Sequence, residues 1–425
     1  MIPVYVLDDR HLGAAQHWWL HHSLAALAAS LARRGNRLIL RRGQAVEQLR
    51  ALAAETGARA IHAIRHHEPW HQADQATLAR LGLLTLHEGN ALAPPDRVRT
   101  GQGQRYRVFT PWYRQLLRQM PPPPPLPAPE RIPAAAAQPG SERLEDWRLL
   151  PRAPDWATGF AAWQPGEKGA WRALRDFMRR LGTYHHDRDR PDRPATTRLS
   201  PHLHFGEISP RAIWHAIGDR PDPGAASLRS ELGWRDHAIN LIDQLPGYGE
   251  RNGRTPFDRF PWRTGPEAEA DFTAWTRGRT GYPVVDAGMR QLWLTGWMHN
   301  RVRMIAASFL TKHLLIDWRR GEGWFRETLL DYDAASNAMN WQYVTGSGVD
   351  APVFSRIMSP RLQSERFAMA AYVRAFVPEL AGLSDQQIHQ AHGTDAGVAD
   401  YPAPLIGHDL ARARALAAWE SLRGS

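Results

Sequence analysis

The sequence contains no cysteine. That excludes disulfides, thiolate nucleophiles and cysteine-ligated iron–sulfur clusters. Lysine is nearly missing too: Lys168 and Lys312 are the only two, so the positive charge is almost entirely guanidinium. No apolar run approaches the ~20 residues of a membrane-spanning helix. The stretch 1–9 has no basic segment followed by a long apolar one, so no secretory signal is expected and the cytoplasm is the expected location. No G-x-G-x-x-G follows a candidate strand; Gly101-Gln102-Gly103 lacks the third glycine and the helix, which removes the usual dinucleotide fingerprint.

What is present is the composition of a globular chain long enough for two domains, 425 residues with 43% apolar and 23% charged. The formal net charge of +10 points to a polyanionic partner. Codon bias toward arginine would give the same excess, although a guanidinium also suits bidentate phosphate contacts better than an ammonium.

Residues 2–8, 38–40, 60–64 and 83–87 read as short buried strands. Helical stretches over 18–33 and 45–56 lie between them, which predicts a parallel sheet with covered faces. Residues 121–139 are rich in proline and predict an extended, semi-rigid connector. Beyond residue 150 the strand signals stop. Helices are predicted over 167–181, 207–217, 227–243, 283–313 and 321–330. The reading is therefore an α/β domain over 1–118, a linker over 119–150 and an all-helical domain over 151–425.

Three features of the helical half suggest chemistry. Thr196, Thr197, Arg198, Leu199 and Ser200 form a hydroxyl-rich turn whose side chains and backbone N–H groups suit either a phosphate or a helix cap. Tryptophan is abundant, 18 in all, which serves core packing or electron transfer. The run Trp297-Met298-His299-Asn300-Arg301-Val302-Arg303 sets polar groups in an apolar helix, so partners are required. Asp331 and Asp333, with Ser336 and Asn337, are the candidate partners. Histidine pairs at 21–22, 66–67 and 185–186 are adjacent residues that point apart, and His202-x-His204 would align two rings along a strand without a third ligand. No metal is expected.

From about Tyr184 onward the chain resembles the photolyase/cryptochrome family, and class I cyclobutane pyrimidine dimer photolyases in particular. The strongest block is residues 280–318, TGYPVVDAGMRQLWLTGWMHNRVRMIAASFLTKHLLIDW. The first half resembles the family's Rossmann-like antenna domain, including Val108-Phe109-Thr110-Pro111-Trp112. The resemblance implies FAD, reduced and anionic in the active form, and light-driven electron transfer that opens the dimer's cyclobutane ring in damaged DNA. It implies a monomer, associated with DNA and with no membrane.

By matched position, the resemblance assigns Tyr184, Thr196, Thr197, Arg198, Leu199, Ser200, Trp297 and Asn300 to the flavin. It makes Arg303 and Asp331 a salt bridge beside the isoalloxazine, gives Asp333 the ring's polar edge, and sets Asn337 opposite N5. Glu231 hydrogen-bonds the dimer and Trp234 stacks on it. Asn300, Arg301 and Met304 line the same cavity, with Tyr343 as its second aromatic wall. Arg188 and Arg356 grip phosphates. Trp341, Trp318 and Trp262 form the electron path. An extruded lesion in an aromatic pocket is a familiar arrangement, since a damaged base pair stacks poorly.

The departures are specific. Tyr343 replaces the usual Trp, Leu228 replaces a flavin-contacting Trp, and three extra residues separate Trp262 from Trp275. The family's first strand is missing, which would leave two unpaired strand edges; either the chain starts late or the sheet re-pairs, with Val4–Leu7 beside Ile61–Ile64. The folate-contacting pair is replaced by Glu68-Pro69-Trp70-His71, so no antenna pigment is assigned. The alternative reading is a cryptochrome-type blue-light sensor, which Tyr343 favours and Asn337 opposes. Repair of (6-4) photoproducts would call for histidine where Asn300 stands. A flavin-binding DNA protein without turnover is the last alternative.

Overall fold

The computed structural model describes residues 1–390, 398 and 400–422. In chain order the first elements are β1 (Val4–Leu7), α1 (Ala14–Arg33), β2 (Ile39–Arg42), α2 (Ala45–Thr56), β3 (Ile61–Ile64), α3 (Pro69–Arg80), β4 (Leu84–His87) and α4 (Phe109–Leu117). Helices follow: α5 (Glu167–Met178), α6 (Tyr184–Asp187), α7 (Ser200–His204), α8 (Pro210–Ile217), α9 (Pro223–Gln244), α10 (Pro266–Thr276), α11 (Pro283–Thr295) and α12 (Asn300–Ser308). A π-helical turn over Phe309–His313 precedes α13 (Trp318–Thr328), α14 (Ala334–Thr345), α15 (Pro360–Arg366), α16 (Ala370–Phe376), α17 (Asp385–Gln390) and α18 (His408–Ser421). Among the described residues no helix is long and apolar enough to cross a membrane.

The strands pair in parallel, β1 with β2 (Val4 opposite Ile39) and β3 with β4 (Ile61 opposite Leu84), in two separate two-stranded sheets. The re-pairing of Val4–Leu7 beside Ile61–Ile64 does not occur. Expected as fully buried, β3 and β4 instead alternate between half-buried and exposed residues, and Ile64 is 45% exposed. Covered on one face only, such strands show a period of two rather than a continuous apolar run.

The helices start where the chemistry predicts. Pro223 opens α9 and the Asp222 carboxylate accepts from the Ala225 N–H at 2.9 Å. Pro210 opens α8 after Ser209, whose Oγ accepts from the Ala212 N–H, which moves the start from the expected 207. The expected helix 283–313 is three segments. Gly296 adopts φ +64 to end α11, and His299 caps α12 with Nδ1 accepting from the Arg301 N–H at 3.1 Å. The apolar residues run on through the break, so periodicity did not reveal it.

The chain folds as two compact units. The first comprises Met1–Arg179, Thr197–Pro246 and Leu330–Tyr332; the second comprises Arg180–Thr196, Gly247–Leu329 and Asp333–Ser425. The proline-rich segment 121–139 carries neither helix nor strand and lies in the first. There, Leu7 and Leu40 pack with Leu20 and Leu24 of α1 and with Trp147. Beside them Trp19 is fully buried, and its indole N–H donates to Glu207 at 3.1 Å. Burying one such indole stabilises by roughly 4–6 kcal/mol, from ~150–250 Å² at ~25 cal/mol/Å². In the second unit Phe257, Phe260, Leu315 and Phe354 pack against α18.

Candidate functional site

In the first unit the hydroxyl turn is tightly specified. Arg198 sits at φ +52, a left-handed conformation that a non-glycine residue holds only with support. Its guanidinium lies 4.6 Å from the ring centre of Trp163. The Thr197 hydroxyl accepts from the Leu199 N–H at 3.2 Å, Leu199 is buried, and the Ser200 hydroxyl donates to Asp331 at 2.6 Å. The segment thus offers hydroxyls and backbone donors in one fixed curve, which fits the phosphate or ribityl part of a flavin dinucleotide. The pair expected to line up along a strand, His202 and His204, is instead in α7. His202 Nδ1 meets Glu207, while His204 Nε2 meets Gln16 at 2.8 Å.

Helix α9 carries Leu228, Glu231 and Trp234 three residues apart, on one face. Trp234 is stacked on Phe109 of α4, with ring centres 3.6 Å apart and planes at 8°, and Phe109 stacks in turn on Tyr113. Gly233 makes this approach possible, because a Cβ there would lie 2.6 Å from the Tyr113 ring. Next along the helix, Arg235 donates to the Asn90 carbonyl at 2.6 Å, and buried Asp236 accepts from the Leu92 N–H at 2.6 Å. Burial pushes the Asp236 carboxyl up to about 7, against the pull of Arg235 and of the Leu92 and Ala93 N–H groups. Phe109, the support for Trp234, was missed as a site residue; its aromatic motif was legible, but its partner was not.

In the second unit Tyr184 is buried and the Arg188 guanidinium lies 5.5 Å from its ring centre. Thr196 and Arg188 are half-buried, and Asn300 is exposed at the start of α12. Arg301 pairs with Asp189 at 2.8 Å and lies 4.6 Å from the Phe367 ring centre, with Met304 beside it on the same helix. Arg303 donates to the Met298 carbonyl at 2.7 Å, and Trp297 is buried. Burial lowers the His299 imidazole to about 4, although the Asp189 charge and an Arg188 backbone contact pull the other way. Tyr343 is half-buried and Arg356 is exposed, with its carbonyl accepting from Lys312 at 2.9 Å.

Asp333 caps α14 by accepting from the Ser336 N–H at 2.7 Å. Asn337 donates through Nδ2 to the Glu322 carboxylate at 3.0 Å, which orients the amide and turns its oxygen to the other side. Trp341 is buried, and its indole N–H has no hydrogen-bond partner. By contrast, Trp318 donates to Asn252 at 2.9 Å and Trp275 to the Ala306 carbonyl at 3.1 Å. Trp262 is half-buried, with its ring centre 4.3 Å from that of Phe260. The ring neighbours of Trp341 are Phe325 and Trp275. The sequence reading had not placed Trp275 in the path.

An α/β unit, a hydroxyl turn and a tryptophan-rich helical region fit a flavin-binding protein. The comparisons make this specific. A family model described as DNA photolyase matches residues 1–130, and one described as FAD binding domain of DNA photolyase matches residues 227–421. The chain is 47% identical to a deoxyribodipyrimidine photo-lyase of Agrobacterium fabrum, over 100% of this chain and 92% of the relative. The crystal structure of a bacterial class III photolyase from Agrobacterium tumefaciens superposes with a TM-score of 0.94 at 47% identity, covering 100% of this chain and 92% of that one. An archaeal photolyase from Sulfolobus tokodaii, solved with two FAD molecules, gives 0.82 at 26% identity, with 99% and 93% covered. The chain belongs to the photolyase/cryptochrome family, and its cofactor is FAD.

Proposed function

We propose that this protein repairs cyclobutane pyrimidine dimers in DNA under light. The observation that carries the reading is the pairing of Glu231 with Trp234 one turn apart on α9, the latter held flat by Phe109. An acidic group beside a rigid indole face is suited to a flipped, covalently joined base pair: the indole stacks and the carboxyl fixes the polar edge. When bound, reduced FAD supplies the photoexcited electron that opens the cyclobutane ring and receives it back. The chain's residues bind and orient. Thr196, Thr197, Arg198, Leu199 and Ser200 hold the phosphate and ribityl parts. Tyr184, Trp297, Asn300, Arg303, Asp331 and Asp333 contact the rest of the cofactor. Asn337 presents its amide oxygen as an acceptor without adding a charge. Arg188 and Arg356 meet the DNA backbone, while Asn300, Arg301 and Met304 line the lesion cavity with Tyr343 as its second aromatic wall. Trp341, Trp318 and Trp262 are assigned the reducing path.

By this reading 1–118 is the antenna-like domain, 119–150 the connector and 151–425 the catalytic domain of a monomer working on DNA in the cytoplasm. The full-length identity to a structure described as class III favours that subclass over class I. The test is loss of dimer from a defined thymine-dimer oligonucleotide, using the photoreduced, FAD-loaded protein. Light-dependent loss, abolished in the dark and in Glu231→Ala, is expected. Binding of FAD and damaged DNA with no dimer loss would overturn repair and leave the blue-light sensor.

A further inference from the structure

The loop after β3 sends neighbouring histidines in different directions. His67 turns inward, where Nδ1 meets the Asp243 carboxylate at 2.8 Å. His66 turns the other way, with Nδ1 3.6 Å from Glu68 Oε2 and its ring centre 4.7 Å from that of His71. One ligand atom each from His66, Glu68 and His71 lies within 4.8 Å of the others. We propose that His66, Glu68 and His71 form a binding site for a divalent cation of the zinc class, with one coordination position left open.

Two imidazoles and a carboxylate are a ligand set that zinc accepts while keeping a fourth position for water or an outside ligand. Bonds of ~2.0–2.1 Å place the ligand atoms of a tetrahedral ion about 3.3 Å apart. The His66–Glu68 separation is already near that value. The His66 side chain is 47% exposed, so its ring is free to turn toward an ion, and the remaining separations, all within 4.8 Å, call for small side-chain adjustments.

The backbone around the triad is fixed. The His66 N–H donates to Gln75 Oε1 at 3.1 Å, and Gln75 Nε2 donates back to the His66 carbonyl at 2.9 Å. Glu68 is the N-cap residue of α3 and accepts from the His67 N–H at 3.2 Å. His71 lies in the first turn of α3, next to Trp70, whose ring is stacked on His11 with centres 4.1 Å apart. Two ligands on the start of a helix and a third on a doubly anchored loop make a preorganised site. A plain His66–Glu68 ion pair at this exposure is worth little and would need no second imidazole. Among divalent ions Cu²⁺, Ni²⁺ and Zn²⁺ favour such nitrogen-rich sets, while Mg²⁺ and Ca²⁺ do not. None of the three residues has a part in the proposed repair chemistry.

The test uses the full-length, FAD-loaded protein, treated with a chelator and dialysed against zinc chloride, with bound metal counted by mass spectrometry. The expected result is stoichiometric zinc, a thermal midpoint that rises with zinc by mass action, and an affinity at least about tenfold weaker in His66→Ala and in His71→Ala. Glu68→Gln provides a third variant should His71→Ala fold poorly. His87→Ala is the control, because His87 meets His62 at 3.0 Å and is a second exposed imidazole pair. Retention of zinc by the double variant His66→Ala/His71→Ala, loss of zinc in His87→Ala alone, or no zinc bound by the wild type would each overturn the proposal.

Discussion

The indoles of Trp341 and Trp275 are in edge contact, with ring centres 6.3 Å apart and planes at 66°. Both are buried, and Phe325 packs against each. If Trp341 carries the electron as proposed, this contact offers Trp275 as a second route out of it beside Trp318. Photoreduction of oxidised FAD is expected to stop in Trp341→Phe and to slow in Trp275→Phe. Time-resolved absorption at the flavin bands reads the rate, with FAD content as the folding control. A wild-type rate in Trp275→Phe, together with full loss in Trp318→Phe, would return the path to Trp318 alone.

The contact depends on a glycine. A Cβ at Gly321 of α13 would lie 2.2 Å from Trp341 Cη2 and 2.6 Å from Leu310 Cδ2. Both neighbours are buried, so neither moves freely. Gly321→Ala is expected to destabilise by about 1–3 kcal/mol. A lower denaturation midpoint with an unchanged slope checks it.

Glu322 orients the Asn337 amide. With Nδ2 engaged, the amide oxygen is left as the acceptor, which in the proposed site would favour a flavin protonated at N5 over the oxidised ring. Glu322→Ala is expected to lower the midpoint potential of bound FAD, and Asn337→Ala to lower it further. Potentiometric titration decides; a potential unmoved in Glu322→Ala would show that the amide is held from elsewhere.

Buried His299 gives a pH dependence. Its imidazole is lowered from 6.5 to about 4, so the folded state prefers the neutral ring that caps α12. The unfolded chain binds the proton first, and the stabilisation is complete above pH ~6.5 and lost as pH falls toward 4. Between pH 7 and 5 the loss amounts to about 2 kcal/mol. Asn also caps helices but cannot charge. His299→Asn is expected to flatten the fall in thermal midpoint over that range; an unchanged slope would assign it to other buried histidines such as His237 and His313.

The four strands were legible because β-branched and Leu-rich runs sit between turn signals, and α2 was legible because Gly57 ends it in a left-handed cap. The split into two sheets was not, since strand pairing is a long-range choice that four-residue strands hardly encode. The break at Gly296 and His299 was hidden by apolar residues on both sides. Glu231 and Trp234 were readable through family resemblance, not through periodicity, which marks only a helix face. Phe109 and Trp275 were missed because their partners are distant in sequence. The His66, Glu68 and His71 grouping is not legible from adjacent histidines, because its members bridge a loop and a helix start.

Lys312 is buried, with its ammonium donating to the Phe354 and Arg356 carbonyls, and burial lowers its pKa to about 7. Lys168, on α5, is exposed. The protein's outer cationic character is therefore built from guanidinium, and a single lysine amine faces solvent. Acetyl transfer, which silences DNA-facing lysines in many proteins, has almost nothing here to act on. For the experimenter the same fact is an advantage: amine-reactive dyes and surface linkers meet one exposed lysine, Lys168, besides the exposed Met1 amine, and neither is among the residues assigned to repair.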